Sequence, residues 1–225
     1  KWFKESKKGK DNEYSDFYYW RDEPLADWTA CFGGSAWEYC PERGQYYLHS
    51  YAIEQADLNW DNPEVRKAAL DVAKHYLDLG VDGFRFDAIK YIYYGDTKRS
   101  VEFWEWYMNE LRRDYPDIYC VGECWSGEAE ILDYYGAMNC FNFAMSQAEG
   151  FAASAAKGSS ISNFTNYVAS FNTKIASKNP NGMAMSFLSN HDMDRIAGAF
   201  IGEKNMKMAA NLYLLSPGSP IIYYG

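Results

Sequence analysis

No stretch of this 225-residue chain approaches the ~18 consecutive apolar residues that crossing a bilayer requires. The N-terminus also lacks the apolar run of a secretory signal. Both absences predict a soluble chain with no membrane partner. Cations are scarce: 22 Lys and Arg stand against 31 Asp and Glu, for a formal charge of −9. Binding a phosphate backbone needs clustered Lys and Arg, so no nucleic-acid partner is expected. The one basic run, Lys1 to Lys10, is diluted by Glu5 and reads as a solvated edge. Cysteines 31, 40, 120, 124 and 140 show no paired metal-ligand spacing. Free thiols are the expectation for them, with a Cys31–Cys40 bridge as the alternative.

Aromatic residues, by contrast, are plentiful: 20 Tyr, 8 Trp and 13 Phe make up 18% of the chain. Sugars present apolar C–H faces and polar edges, which suit Trp and Tyr platforms. Core packing explains most aromatics equally well, so composition only points towards carbohydrate.

Residues 1 to about 56 have no long periodicity. Turn signals at Gly33-Gly34 and Pro41-Glu42-Arg43-Gly44 separate short aromatic runs at Phe17–Trp20 and Gln45–Leu48. This predicts a small, irregular, β-rich domain over 1–56. The character then changes. Asn62-Pro63 is a helix start, Val65, Ala68, Ala69, Val72, Tyr76 and Leu77 follow helical spacing, and Gly80 stands at the stop.

A short strand from Val81 to Asp87 follows, and the rhythm repeats. Helices are predicted at 101–113, 165–176 and 204–215, and strands at 118–122, 139–144, 183–188 and 220–224. Residues 146–162 read as a loose segment. Strands alternating with helices imply a parallel sheet with crossover helices. About five strands are present, whereas a closed (β/α)8 barrel needs eight. A doubly wound sheet is the alternative, weakened because no glycine-rich phosphate loop follows any strand.

Three strand ends deliver carboxylates: Gly83-Phe-Arg-Phe-Asp87, Val121-Gly-Glu123 and Phe187-Leu-Ser-Asn-His-Asp192. Side chains alternate along a strand, so Phe84 and Phe86 face the helices while Arg85 and Asp87 face inward. A guanidinium beside Asp87 favours its ionised form, as a nucleophile requires. An ion pair that merely orders the strand is the plainer explanation. Glu123 lies near Trp125, and a carboxyl desolvated by aromatic surface holds its proton and can act as a general acid. A role at a helix start would explain Glu123 as well. Trp125 is a candidate sugar contact, with helix packing as the alternative. Acetal cleavage needs two carboxyl groups in most glycosidases, and a third can bind hydroxyls and favour positive charge.

GFRFDAIKY at 83–91, GECW at 122–125 and FLSNHD at 187–192 together resemble the second, third and fourth conserved regions of the α-amylase family of glycoside hydrolases. QADLNWDNPEVR at 55–66 resembles the segment closing that family's B domain. FGGSAWEY at 32–39 and GQYYLH at 44–49 are similar to the B domains of oligo-1,6-glucosidases and α-glucosidases. PGSPIIYYG at 217–225 looks like the eighth barrel strand. The resemblance implies a B domain over 1–56 and a partial (β/α)8 TIM barrel, about strands 4–8, over 57–225.

It makes Asp87 the nucleophile, Glu123 the general acid/base and Asp192 the transition-state stabiliser. Arg85 would orient Asp87, His191 would bind sugar hydroxyls, and Lys90 corresponds to an acceptor-site lysine. The implied reaction is retaining double displacement, with the two catalytic carboxyls ~5–5.5 Å apart, on an α-glucan or maltooligosaccharide. Ala88 and Lys90 look amylase-like and favour α-1,4 linkages. The B-domain likeness points instead to exo-acting α-glucosidases or oligo-1,6-glucosidases.

A non-catalytic sugar-binding relative is the alternative of another class, although such proteins typically lose one of the three carboxylates. The family's first conserved region and first two strands have no counterpart, so the chain reads as part of a longer enzyme with impaired activity alone. No cofactor is assigned. Calcium stays open for the full-length enzyme, because the common site uses an Asn from that first region and a backbone oxygen beside the position of Tyr91. No metal ligand is assigned.

Overall fold

The computed structural model describes residues 1–199 and 202–224, and at 198 and 199 the helical backbone alone. Gly225, which ends the predicted eighth-strand motif, lies outside the described residues. The chain divides into two compact units. One comprises Lys1–Gly80 with Tyr91–Gly95, and the other Val81–Lys90 with Asp96–Gly225. The boundary read from the sequence fell at residue 56.

The first unit holds α1 (Trp2–Ser6), β1 (Trp20–Arg21), β2 (Trp37–Cys40), β3 (Gln45–Leu48) and α2 (Pro63–Asp78). Its antiparallel sheet has the order β1-β3-β2, with Trp20 opposite Tyr47 and Cys40 opposite Gln45. The Pro41–Gly44 turn joins β2 to β3, and Gly44 takes the positive φ of 72° that closes it. Ala36, Trp37 and Leu48 form the buried cluster, covered by Tyr19, Leu25, Trp28, Tyr46 and Tyr94.

The basic N-terminal run is more than a solvated edge. Phe3 stacks on Trp20 at 5.9 Å, and Arg43 donates to Gly9 O and Ser15 O while lying over the Trp20 ring. Helix α2 starts as predicted: Asn62 Oδ1 accepts from Glu64 N–H at 2.8 Å, with Pro63 at the first helical position. Its buried stripe is Val65, Ala73 and Leu77, while Val72 and Tyr76 are exposed.

The second unit alternates strands and helices: β4 (Gly83–Phe86), α3 (Thr97–Asp114), β5 (Tyr119–Gly122), α4 (Glu128–Asp133), β6 (Asn139–Asn142), α5 (Phe151–Ala156), α6 (Ile161–Lys178), β7 (Met185–Ser186), α7 (Ile196–Ala199), α8 (Glu203–Leu214) and β8 (Ser219–Pro220). All four strand pairings are parallel and follow chain order, β4-β5-β6-β7-β8. A doubly wound sheet reverses its order at a switch point. This sheet never reverses, which is the winding of a barrel wall.

Phe86 packs on Trp104 and Tyr107 of α3 at 4.7 and 5.9 Å, so it faces a helix, and Phe84 lies against Phe86 at 5.8 Å. Helix α6 buries Phe164, Tyr167, Phe171 and Ile175 at three- and four-residue spacing. The segment expected to be loose contains α5. The expected strand at 220–224 is shorter and earlier, at Ser219–Pro220. Beyond it the apolar Ile222 and Tyr224 are exposed.

All five cysteines are free; Cys31 is exposed and the other four are buried. Burial pushes the thiols of Cys120 and Cys124 up to about 11 and about 12, so they serve as inert core residues. Among the described residues no helix is long and apolar enough to cross a membrane.

Candidate active site

The C-terminal ends of β4 and β5 and the loop after β7 bring the predicted carboxylates into one electrostatic neighbourhood. Close fit sets the strand ends. A Cβ on Gly83 would fall 1.6 Å from Tyr119 O, and one on Gly122 would meet Ile89 Cδ1 at 2.6 Å. Gly83 thus lets the starts of β4 and β5 lie close together, and Gly122, immediately before Glu123, makes room for the side chains of Ile89 and Met138.

Arg85 and Asp87 form an ion pair on the face of β4 opposite the phenylalanines. The Asp87 side chain is 77% exposed. The Arg85 guanidinium lies 5.8 Å from the ring centroid of Phe141, on β6, as alternation along β4 requires. Glu123 is buried, at 8% exposure. Burial raises its carboxyl above the usual carboxylate range, and the nearby charges of Asp87 and Asp192 push the same way. The Ala88 N–H and the Arg85 guanidinium oppose them. Arg85, Asp87 and Asp192 are thus near enough to Glu123 for their charges to act on its carboxyl.

The loop after β7 carries the third carboxylate. Asn190 Oδ1 accepts from Asp192 N–H at 2.9 Å, an Asx turn that sets the loop. Asp192 lies 3.0 Å from His191 Nε2, and both side chains are about half exposed.

Lys90 donates to the Trp125 carbonyl oxygen at 2.9 Å, which links the turn after β4 to the loop after β5. Trp125 is 43% exposed, and its ring stacks on Phe143 at 5.0 Å. Phe143 lies in the single helical turn following β6, so the partner of Trp125 is an aromatic side chain at the neighbouring strand end.

Phe143 and the backbone of Ala88 escaped the sequence reading. Phe143 follows an ordinary strand pattern and carried no signal. Ala88 has a φ of 47°, a left-handed conformation rarely taken by residues other than Gly, Asn or Asp. It costs roughly 1–3 kcal/mol unless the surroundings hold it, and such residues cluster at functional sites. The sequence points to Ala88 only through its likeness to amylases, and nothing in it marks this conformation. Among the described residues no three His, Cys, Asp or Glu side chains gather in a way that could hold a metal ion.

The family description "Alpha amylase, catalytic domain" matches residues 1–225. The chain belongs to the α-amylase family. It is 35% identical over 227 residues to Alpha-amylase 3 of Dictyoglomus thermophilum, covering 100% of this chain and 43% of that protein. It is 31% identical over 265 residues to the probable oligo-1,6-glucosidase 2 of Bacillus subtilis, covering 100% and 46%. A crystal structure of an α-amylase from H. orenii superimposes with a TM-score of 0.83 at 30% identity, over 100% of this chain and 46% of the other. The chain therefore spans a little under half of each relative, and its ordered parallel sheet is part of the family's (β/α)8 barrel.

Proposed function

We propose that this chain carries the catalytic carboxylates of a retaining α-glucan hydrolase acting on α-1,4 bonds of starch or maltooligosaccharides. The observation that carries the reading is the contrast between two neighbouring carboxyls. Glu123 is buried and its proton is held more tightly than in water, as a general acid requires. Asp87 is open to solvent and ion-paired with Arg85, as a nucleophilic carboxylate requires.

In the first step an Asp87 oxygen attacks the anomeric carbon while Glu123 gives its proton to the departing glycosidic oxygen. The bond to the leaving sugar breaks, and a glycosyl ester forms on Asp87 with inverted configuration. In the second step Glu123, now a carboxylate, takes a proton from water. The water oxygen attacks the same carbon, Asp87 departs, and two inversions give net retention. Asp192, in the same electrostatic neighbourhood, offsets the positive charge that develops on the sugar. Arg85 holds Asp87 in line, and His191 and Trp125 present a donor and an aromatic face to hydroxyls and ring.

A second reading is an exo-acting α-glucosidase or oligo-1,6-glucosidase. It draws support from the nearly equal identity to a relative of that name. Products from maltopentaose and isomaltotriose, with Asp87→Asn as control, separate the two. Mixed α-maltooligosaccharides with isomaltotriose untouched support the amylase reading. Glucose released from isomaltotriose overturns the linkage assignment. Tight binding with no turnover of either sugar would leave a non-catalytic sugar-binding relative.

A further inference from the structure

Glu123 is held by the chain leaving β4 at three points. Its N–H donates to Phe86 O at 2.8 Å, and its backbone oxygen accepts from Ile89 N–H at 3.0 Å. Its carboxylate oxygen Oε2 accepts from Ala88 N–H at 2.9 Å. The first two continue a strand ladder. The third is made where the ladder skips a residue: Ala88 takes a left-handed backbone, Ile89 N–H makes the ladder bond to Glu123 O, and the Ala88 N–H is left to the side chain of Glu123. The other oxygen, Oε1, accepts no hydrogen bond from the described residues.

We infer that Ala88 is a positioning residue for the acid/base: its left-handed turn fixes Glu123 Oε2 with a backbone N–H and leaves Oε1 to handle the proton. The functional meaning of this rests on the reading of Glu123 given above. The hydrogen bond and its effect on Glu123 do not.

The charged groups facing Glu123 are Arg85 and Asp87 from the end of β4 and Asp192 from the loop after β7. After burial, the Ala88 N–H is the largest influence on the carboxyl and acts against it. Lys90, two residues on, has its ammonium bonded to Trp125 O. An N–H donated to the charged form favours that form, so this bond holds the acid below the value that burial alone would impose. The strain at Ala88 then has a use, because the left-handed residue brings Ile89 N–H back to the ladder while the Ala88 N–H serves Glu123.

Two replacements at one position separate this role from a merely structural turn. An amide-to-ester replacement at Ala88 keeps the methyl group and removes the donor. Ala88→Gly keeps the donor and removes the strain. The readouts, on the intact protein, are the titration of the Glu123 carboxyl by carbon-13 NMR, assigned with Glu123→Gln, and the pH dependence of kcat/KM.

The ester should raise the Glu123 midpoint by about one pH unit and carry the basic limb of kcat/KM with it. Ala88→Gly should leave both within about 0.2 units, since its N–H still points at Oε2. An ester that leaves the midpoint in place overturns the inference, and so does a glycine variant that shifts it as far as the ester. A midpoint that moves as described in a protein that hydrolyses no glucan overturns the hydrolase reading and leaves the positioning intact.

Discussion

At the end of β4, Asp87 stands 77% exposed beside a guanidinium. One strand away, at the end of β5, Glu123 is 8% exposed with a backbone N–H on its carboxylate. The two side chains differ by one methylene, and their chemistry is set by what surrounds them. Proton affinity follows burial and neighbouring charge, so adjacent strands of one sheet supply an open carboxylate and a buried acid. The flanking residues make the difference. Arg85, two before Asp87, shares its face of the strand. Gly122, immediately before Glu123, lets Ile89 and Met138 close in.

Removing the open partner should have the largest effect. Asp87→Asn is expected to lower kcat by about 10⁴-fold or more on maltopentaose. Its melting curve should be unchanged, because the side chain is exposed. Glu123→Gln should cost about 10²–10⁴-fold and abolish the basic limb of the pH profile. That loss should shrink on glucosides whose leaving group needs no proton, and an equal loss on both substrates would contradict its role as acid.

Grip on the sugar comes next. Trp125→Ala should raise KM by about tenfold with little change in kcat if its face meets the substrate. Smaller still, Arg85 and Asp87 pull Glu123 in opposite directions. Arg85→Gln should move its NMR titration midpoint up, and Asp87→Asn should move it down, each by about half a unit to one unit.

The smallest expected effect is on stability. The Glu123 carboxyl is raised above its unfolded value near 4.5, so the folded state binds this proton more tightly than the unfolded chain. Its contribution is therefore favourable below the unfolded value and is lost as pH rises through the folded one. Glu123→Gln should stabilise by roughly 1 kcal/mol near neutral pH, and by less as pH falls towards 4.5. Calorimetric melting across that range checks the sign.

Much of the local structure around these residues was legible before the fold was known, and for identifiable reasons. Two-residue alternation placed Arg85 with Asp87 and sent Phe86 towards a helix. Asn62-Pro63 and Gly80 bracketed α2 because caps are local chemistry. Repeated strand–helix alternation announced the parallel sheet.

What stayed hidden depended on distant contacts. Ala88 has no side-chain feature that asks for a left-handed backbone; the pairing of Glu123 with β4 imposes it. Phe143 meets Trp125 only once β5 and β6 lie side by side. Helix α2 was expected to bury Val72 and Tyr76 as part of one apolar face, but both are exposed and the buried stripe runs through Val65, Ala73 and Leu77. The short helix α5 within 146–162 follows no clear period, so tertiary packing decides it.

The proposed mechanism requires an Asp87 oxygen to form the covalent bond to the sugar. A fluorinated α-glucosyl fluoride, which forms such an ester faster than water removes it, should leave one fluoroglucosyl unit on the protein. Peptide mass spectrometry is predicted to find that unit on the segment containing Asp87. A label on Glu123 or Asp192 would contradict the assignment, and so would unlabelled turnover yielding the inverted β-product.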